Sequence, residues 1–339
     1  SAPMDLPLLG PVTLTGFAHP WFFLFALVAA AAVAGYLLML RRRHRHVLRF
    51  ANTELLDTVA PPSPNPRLRH LAAALTALGL VLLTVALAGP THDVRIPRNR
   101  AIVMLVIDVS ESMVARDVAP SRLEAAKAAG KRFADTLPAG INLGLVEFAG
   151  TATMLMPPTT NRHAMDAAID KLQAQERTAT GEGILTALGQ IAAMSGSIGG
   201  GEGPPPMSIV LESDGKETVP ADPNATRGGF TAARSAKEQG VKISAISFGT
   251  PNGTVEIQGQ QIPVPVDDAT LRRITEIADG RLFHAENLDE LDRAYTDLRN
   301  QLGYQIVPGD ASHAWVVLAT VALAAAAGVG LGVNRRLPG

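Results

Sequence analysis

Asp108, Ser110 and Ser112 alternate directly after an unbroken apolar run, Ala101 to Ile107, in the stretch AIVMLVIDVSESM. Apolar residues without polar alternation predict a strand buried on both faces. The chain breaks at the strand's carboxyl end, which is where ligands collect in an open α/β sheet. One carboxylate and two hydroxyls at this spacing supply hard oxygen donors suited to a small divalent cation. The same residue types also make an ordinary turn and helix cap, so three positions alone leave both uses open.

Two further polar clusters follow. RTATGEGI places Thr178 ahead of Gly181 and a helical segment, and SIVLESDGKE ends a second apolar strand in Ser213, Asp214 and Gly215. The D-x-S-x-S pattern at 108–112 resembles the metal-ion-dependent adhesion site of von Willebrand factor A (VWA) domains. The other two clusters resemble that family's threonine loop and its T-D-G motif, with Ser213 standing for threonine. The resemblance spans residues 98 to 303 and implies a Rossmann-like α/β domain, a mainly parallel central sheet with helices on both faces. It also implies the metal ligands Asp108, Ser110, Ser112, Thr178 and Asp214. The two serines would bind directly, Asp108 directly or through water, Thr178 from its own loop, and Asp214 through a water. Magnesium or manganese fits such an all-oxygen octahedron. A cation held largely by neutral ligands seeks an outside carboxylate, and an Asp or Glu of a partner protein would supply it. Glu147 and Glu212 stand at strand ends where apolar residues are expected. Facing solvent near the site, bonding to neighbours, and adding charge to the site are all open for them.

Enzyme signatures are missing. A phosphatase of the haloacid dehalogenase type wants an aspartate where Ser110 stands, no glycine-rich phosphate loop follows the first strand, and neither G-x-S-x-G nor H-E-x-x-H occurs. The eight histidines are scattered, so no catalysis is expected. With no cysteine, disulfides and thiolate metal sites are excluded together. A net charge of −1 gives no argument for nucleic acid, and none is expected as a partner.

Hydrophobic residues make up 47% of the 339, which is high for a wholly soluble chain and places part of it in the lipid bilayer. Residues 1 to 19 carry no lysine or arginine and lack the basic start of a secretory signal. Three apolar segments predict transmembrane helices at about 21–40, 71–89 and 314–333, since roughly 20 residues at 1.5 Å each cross a core of about 30 Å. Between the first two lies RRRHRH and, in all, seven arginines: Arg41, Arg42, Arg43, Arg45, Arg49, Arg67 and Arg69. Positive-inside bias makes 41–70 a cytoplasmic loop and, with Arg335 and Arg336, puts the C-terminus inside. The expected division is therefore a membrane region over 1–92, an extracytoplasmic VWA domain over 93–303, and a linker with the last helix over 304–339. Within the loop, LRFANTELLDTVA reads as an amphipathic surface helix and PPSPNPR as a stiff connector.

Inside the domain, strand-like and helix-like runs alternate. Ser121 and Glu124 form a capping box before SRLEAAKAAGKRFADTL. Strands are expected at INLGLVEF, SIVLE, VKISAISF and RLFHA, an antiparallel edge at TATMLMP, and a hairpin at VEIQGQQIPVPV. Helices are expected from Asn161 to Leu172, Glu182 to Met194, Thr231 to Gln239, Asp268 to Asp279 and Leu288 to Leu302, with SGSIGGGEGPPP a flexible loop. The whole arrangement resembles the Bat (Bacteroides aerotolerance) membrane proteins, and still more an actinobacterial family of VWA membrane proteins, down to PTHDVRIPRNRA and RTATGEG. This resemblance implies a protein-binding role in assembling or maintaining an envelope complex. It also implies a cytoplasmic MoxR-type AAA+ ATPase as a partner, contacted through residues 41–70. A structural subunit with an incidental metal, and a metal-dependent hydrolase, are the other uses open to such a domain.

Overall fold

The computed structural model describes residues 5–6, 10–11, 16–47, 66–198 and 203–334. Two compact units are formed, one from the described residues of Ser1–Val94 and Ile306–Gly339 and the other from Arg95–Gln305.

The first unit contains the short strands β1 (Asp5–Leu6), β2 (Gly10–Pro11) and β3 (Gly16–Phe17), and the helices α1 (Phe25–Val47), α2 (Pro66–Leu87) and α9 (Ser312–Asn334). Strand β4 (Pro90–Pro97) pairs with β3 and with β13 (Tyr304–Asp310). Three stretches, Pro20–Met39, His70–Leu87 and Ser312–Gly332, are long and apolar enough to cross a membrane. Leu27, Val28, Leu38, Leu71, Val81, Val321 and Leu331 are all exposed, an arrangement unfavourable in water and natural against acyl chains. A methyl group on Gly79 would lie 2.6 Å from Leu323 Cδ2, so α2 and α9 approach closely through a small residue, as membrane helices do. The basic run RRRHRH, expected in a loop, instead continues α1 to Val47. Arginine is a good helix former, and no glycine or proline intervenes to stop it. LRFANTELLDTVA and residues 61–65 of the proline-rich connector lie outside the described residues. Pro66 opens α2, where its missing N–H costs nothing.

The second unit is a layered α/β domain. Its elements in chain order are β5 (Ile102–Asp108), α3 (Arg122–Thr136), β6 (Asn142–Phe148), β7 (Ala152–Thr159), α4 (Arg162–Asp170), α5 (Thr180–Ser195), β8 (Met207–Ser213), α6 (Gly229–Glu238), β9 (Lys242–Phe248), β10 (Thr254–Ile257), β11 (Gln260–Pro263), α7 (Asp268–Ile277), β12 (Leu282–Ala285) and α8 (Leu288–Leu302). The sheet runs β12-β9-β8-β5-β6-β7, parallel except for β7 at one edge. Every residue of β5 is buried, because helices cover both faces of the strand. Val103, Leu105 and Ile107 pack in one core with Phe133 of α3, Ile169 of α4 and Leu298 of α8. Ile102, Met104 and Val106 pack in the other with Ile184 of α5, Ala233 of α6 and Leu271 of α7. Local chemistry sets the helix starts: Ser121, Asn161 and Asn287 accept side-chain hydrogen bonds from the amides of Glu124, Ala164 and Glu290 at 3.2, 3.0 and 2.9 Å. The helix expected to reach Leu172 ends at Asp170, and the one expected from Glu182 starts two residues earlier at Thr180. Residues 199–202 of the glycine-rich loop lie outside the described residues.

Glu147 and Glu212 both lie opposite Ile107 in register and therefore share its face of the sheet. Neither is an exposed ligand. Glu147 is largely buried and accepts from Gln175 Nε2 at 3.3 Å, while Glu212 is fully buried and accepts a hydrogen bond from the Tyr295 hydroxyl of α8. Burial, reinforced by the charge of Asp108 and opposed by the Tyr295 bond, pushes the Glu212 carboxyl up to about 7. The unfolded group titrates near 4.5, so the folded chain holds an extra proton between these values. This acid therefore costs nothing near its unfolded pKa and progressively destabilises the fold as pH rises to 7. Glu212→Gln keeps an acceptor for Tyr295 and should raise thermal stability of the full chain in detergent at about pH 8, by up to about 3 kcal/mol, with little gain at about pH 4.5. Unfolding midpoints that track the parent at both pH values would remove burial as the cause.

Candidate metal centre

Asp108 is the last residue of β5 and has no solvent exposure. Its Oδ1 accepts from the Ser110 amide at 2.8 Å, closing an Asx turn that carries the chain off the strand, and a short 3-10 turn, Glu111–Val114, follows. The turn sets the Ser110 and Ser112 hydroxyl oxygens 3.0 Å apart. Neighbouring segments fix its base, with Val109 donating to the Phe148 carbonyl of β6 at 2.9 Å and accepting from the Gln175 amide of the loop before α5 at 2.7 Å.

From the end of β8, Ser213 donates its hydroxyl to Asp108 Oδ2 at 2.6 Å and accepts from the Gly215 amide at 2.9 Å. Asp214 between them is 1% exposed. Gly215 has φ of 90°, and a side chain there would collide with the Asp267 carbonyl, so only glycine serves. Thr178 precedes α5 on a loop in which Arg177 takes φ of 69°, a left-handed conformation that costs a bulky residue about 1–2 kcal/mol. Bonds on both sides hold it: Gly150 N donates to the Glu176 carbonyl at 2.9 Å, Thr178 N to Thr218 Oγ1 at 2.8 Å, and Thr218 N to the Thr178 carbonyl at 2.8 Å. The threonine loop is thus stitched to the segment that follows Asp214. Glu217 strengthens the seam by accepting from the amides of Gly181 and Gly229 at 3.2 and 3.1 Å, one carboxylate shared by the N-termini of α5 and α6.

All five expected residues are brought together. Ser110, Ser112 and Thr178 line one cavity of about 280 Å³, with Glu111, Arg177, Lys216 and Thr218 also in its wall. Asp108 and Asp214 are buried beside it and feel each other's charge. Burial first, then the charge of Asp214, pushes Asp108 up to about 7. Burial also raises Asp214, against the lowering influence of the Ser112 hydroxyl and Arg122. Asp108 spends both oxygens on protein donors, whereas Oδ1 of Asp214 makes no hydrogen bond. Among the described residues no three His, Cys, Asp or Glu side chains form a metal-holding group. What converges instead is two carboxylates and three hydroxyls, an all-oxygen donor set of the kind that suits a hard divalent cation.

Arg122 was not foreseen as part of this centre. The sequence places it in the first turn of an ordinary amphipathic helix, yet it has no exposure at all. Its guanidinium donates to Asp117 at 2.8 and 2.6 Å, to Asp214 Oδ2 at 3.2 Å and to the Val264 carbonyl at 3.0 Å. Burial pushes Asp117 up, but the hydrogen bonds from Arg122 and Thr250 and the arginine's charge outweigh it and hold the carboxyl below the usual range. No residue spacing signals this pairing, since Asp214 lies 92 positions from Arg122.

The chain matches the family model described as von Willebrand factor type A domain over residues 103–216, and the one described as aerotolerance regulator N-terminal over residues 12–90. Among solved structures, an aerotolerance-related membrane protein from Bacteroides fragilis aligns with a TM-score of 0.49 at 24% identity, covering 59% of this chain and 99% of that one. Two full-length relatives are the UPF0353 proteins of Mycolicibacterium paratuberculosis, 62% identical over 335 residues, and of Mycolicibacterium vanbaalenii, 59% identical over 335 residues; each alignment covers 99% of this chain and 100% of the relative. The chain therefore belongs to the UPF0353 family, as a Bat-type membrane protein carrying a VWA domain.

Proposed function

We propose that this chain is a membrane-anchored, cation-dependent protein-binding module and not an enzyme. The observation that carries the reading is the convergence of Ser110, Ser112 and Thr178 on one cavity beside two buried carboxylates that disfavour each other's charge. Ser110, Ser112 and Thr178 would hold Mg2+ or Mn2+ with Asp108, and Asp214 would support it through its unbonded Oδ1. When bound, the cation supplies unspent positive charge for an Asp or Glu of a partner protein. The domain over 93–303 is proposed to lie outside the cytoplasm of the cell membrane. Residues 1–92 and 304–339 would anchor it, with both the 41–70 loop and the C-terminus inside. The arginine excess between the first two spans supports that orientation. Kinship with Bat-type proteins supports a role in assembling or maintaining an envelope complex, with a MoxR-type ATPase reached through 41–70.

A second reading draws on Arg122. Because a resident cation already answers Asp214, the domain could pack permanently as a structural subunit with the metal incidental. Chains that co-purify in mild detergent separate the two: Asp108→Ala should abolish their capture under the first reading and leave the assembly intact under the second.

Isothermal titration of Mg2+ into the full chain in detergent should show one site, which Asp108→Ala and Thr178→Ala each weaken by about ten-fold or more while the circular dichroism spectrum is retained. Parent and variants titrating alike would sink the ligand assignment. Burial holds Asp108 near 7, so a proton competes with the cation below that pH. Mg2+ affinity should accordingly rise between about pH 5.5 and about pH 7.5 and then level off. The orientation is testable because the chain has no cysteine of its own. A membrane-impermeant maleimide should label Gln261→Cys in intact cells and Ser63→Cys only after permeabilisation, and the reverse pattern would invert the topology.

A further inference from the structure

We infer that the partner's acidic residue is recognised together with an adjacent aliphatic side chain, which is received by the β10–β11 hairpin. This recognition rests on the site being a cation-dependent carboxylate receptor, as proposed above, and specifies what must stand beside the acid. The cavity lined by Ser110, Ser112 and Thr178 is also lined by Val255, Ile257, Ile262 and Val264 of the hairpin region. One compartment thus has a polar half and an aliphatic half. Lys216, Arg177 and Glu111 line the polar half with the hydroxyls, and Asp108 and Asp214 lie buried beside it, so the charge that draws an outside carboxylate is that of the bound cation. A segment carrying only acids would leave the aliphatic wall in water, and a purely apolar one would leave the hydroxyls and cationic groups unanswered. A carboxylate with a Val, Ile or Leu beside it satisfies both halves.

The wall is built before any partner arrives. Gln258 and Gly259, with φ of 52° and 78°, form the tight turn of the hairpin, and Thr254 to Ile257 pair in continuous register with Pro263 to Gln260. Beneath it, the buried Arg122 donates to the Val264 carbonyl at 3.0 Å, and the Val264 amide donates to the Gly253 carbonyl at 2.8 Å. Asp117, paired with Arg122, also accepts from the Thr250 amide and hydroxyl at 3.0 and 2.8 Å. A hairpin fastened in this way loses little freedom on binding, so its aliphatic contacts are available to affinity and specificity. Its outer strand remains accessible, with Ile262 37% exposed and Gln260 and Gln261 exposed beside it.

Random dodecapeptides displayed on phage and selected on the full chain in detergent with Mg2+ provide the test. Enrichment of Asp or Glu next to Val, Ile or Leu is expected. A selected peptide should bind Ile262→Ser about ten-fold more weakly, the worth of one aliphatic contact, while Mg2+ titrates that variant as it does the parent. Acid enrichment without aliphatic neighbours, or equal peptide affinity for Ile262→Ser, would overturn the role of the hairpin and leave the carboxylate receptor standing. Selected peptides that lack acids or bind equally in EDTA, or a failure to recover any binder, would overturn the receptor and this inference together.

Discussion

A guanidinium with no access to water remains charged, so the structure around Arg122 is arranged to answer one positive charge. Its partners come from the loop after β5, from the end of β8 and from the base of the hairpin, at sequence separations of 5, 92 and 142 residues. Such a buried pair is weak evidence of net stability, because desolvation offsets most of its attraction. What it provides is a unique arrangement, since displacing either carboxylate leaves charge uncompensated in a dry interior. Three of the segments around the cavity therefore share one anchor, and Asp214 is divided by it, with one oxygen held by the arginine and the other unbonded.

The rim of the sheet is otherwise short of positive charge. Asp108, Asp214 and Glu212 are gathered at the ends of two adjacent strands, all but completely buried, and each is driven toward its neutral form by that burial. Arg122 answers only Asp214 among the three, and Tyr295 gives Glu212 a hydrogen bond but no charge. Asp108 has hydrogen-bond donors and no ion pair. A divalent cation among the three hydroxyls would supply what this corner lacks. The aliphatic hairpin that lines the same cavity would keep water from screening the carboxylate that completes it.

The membrane-compatible unit follows a different logic. Its helices leave leucine and valine side chains exposed, and α2 meets α9 through Gly79, where shape complementarity takes the place of a hydrophobic driving force. Residues 41–47 show how far helix propensity alone can extend an element: arginines expected to lie in a loop carry α1 beyond its apolar stretch.

Alternation and capping are local properties, so the amino-acid sequence by itself determined the buried strand at 102–108, the caps at Ser121 and Asn161, the three apolar helices, and the three polar clusters at 108–112, 178 and 213–215. The resemblance of those clusters to the VWA pattern ties them to one site. Only the tertiary structure decided that Arg122 would neutralise Asp214, that Tyr295 would cover Glu212, that Thr218 would hold the Thr178 loop, and that four aliphatic side chains of the hairpin region would line the same cavity as the hydroxyls. Each of those contacts joins segments tens of residues or more apart, through the strand order β12-β9-β8-β5-β6-β7 and the helices packed on it. A linear pattern records which residues are charged or apolar. It does not record which of them the sheet will bring face to face, and the cost of burying a charge is settled there.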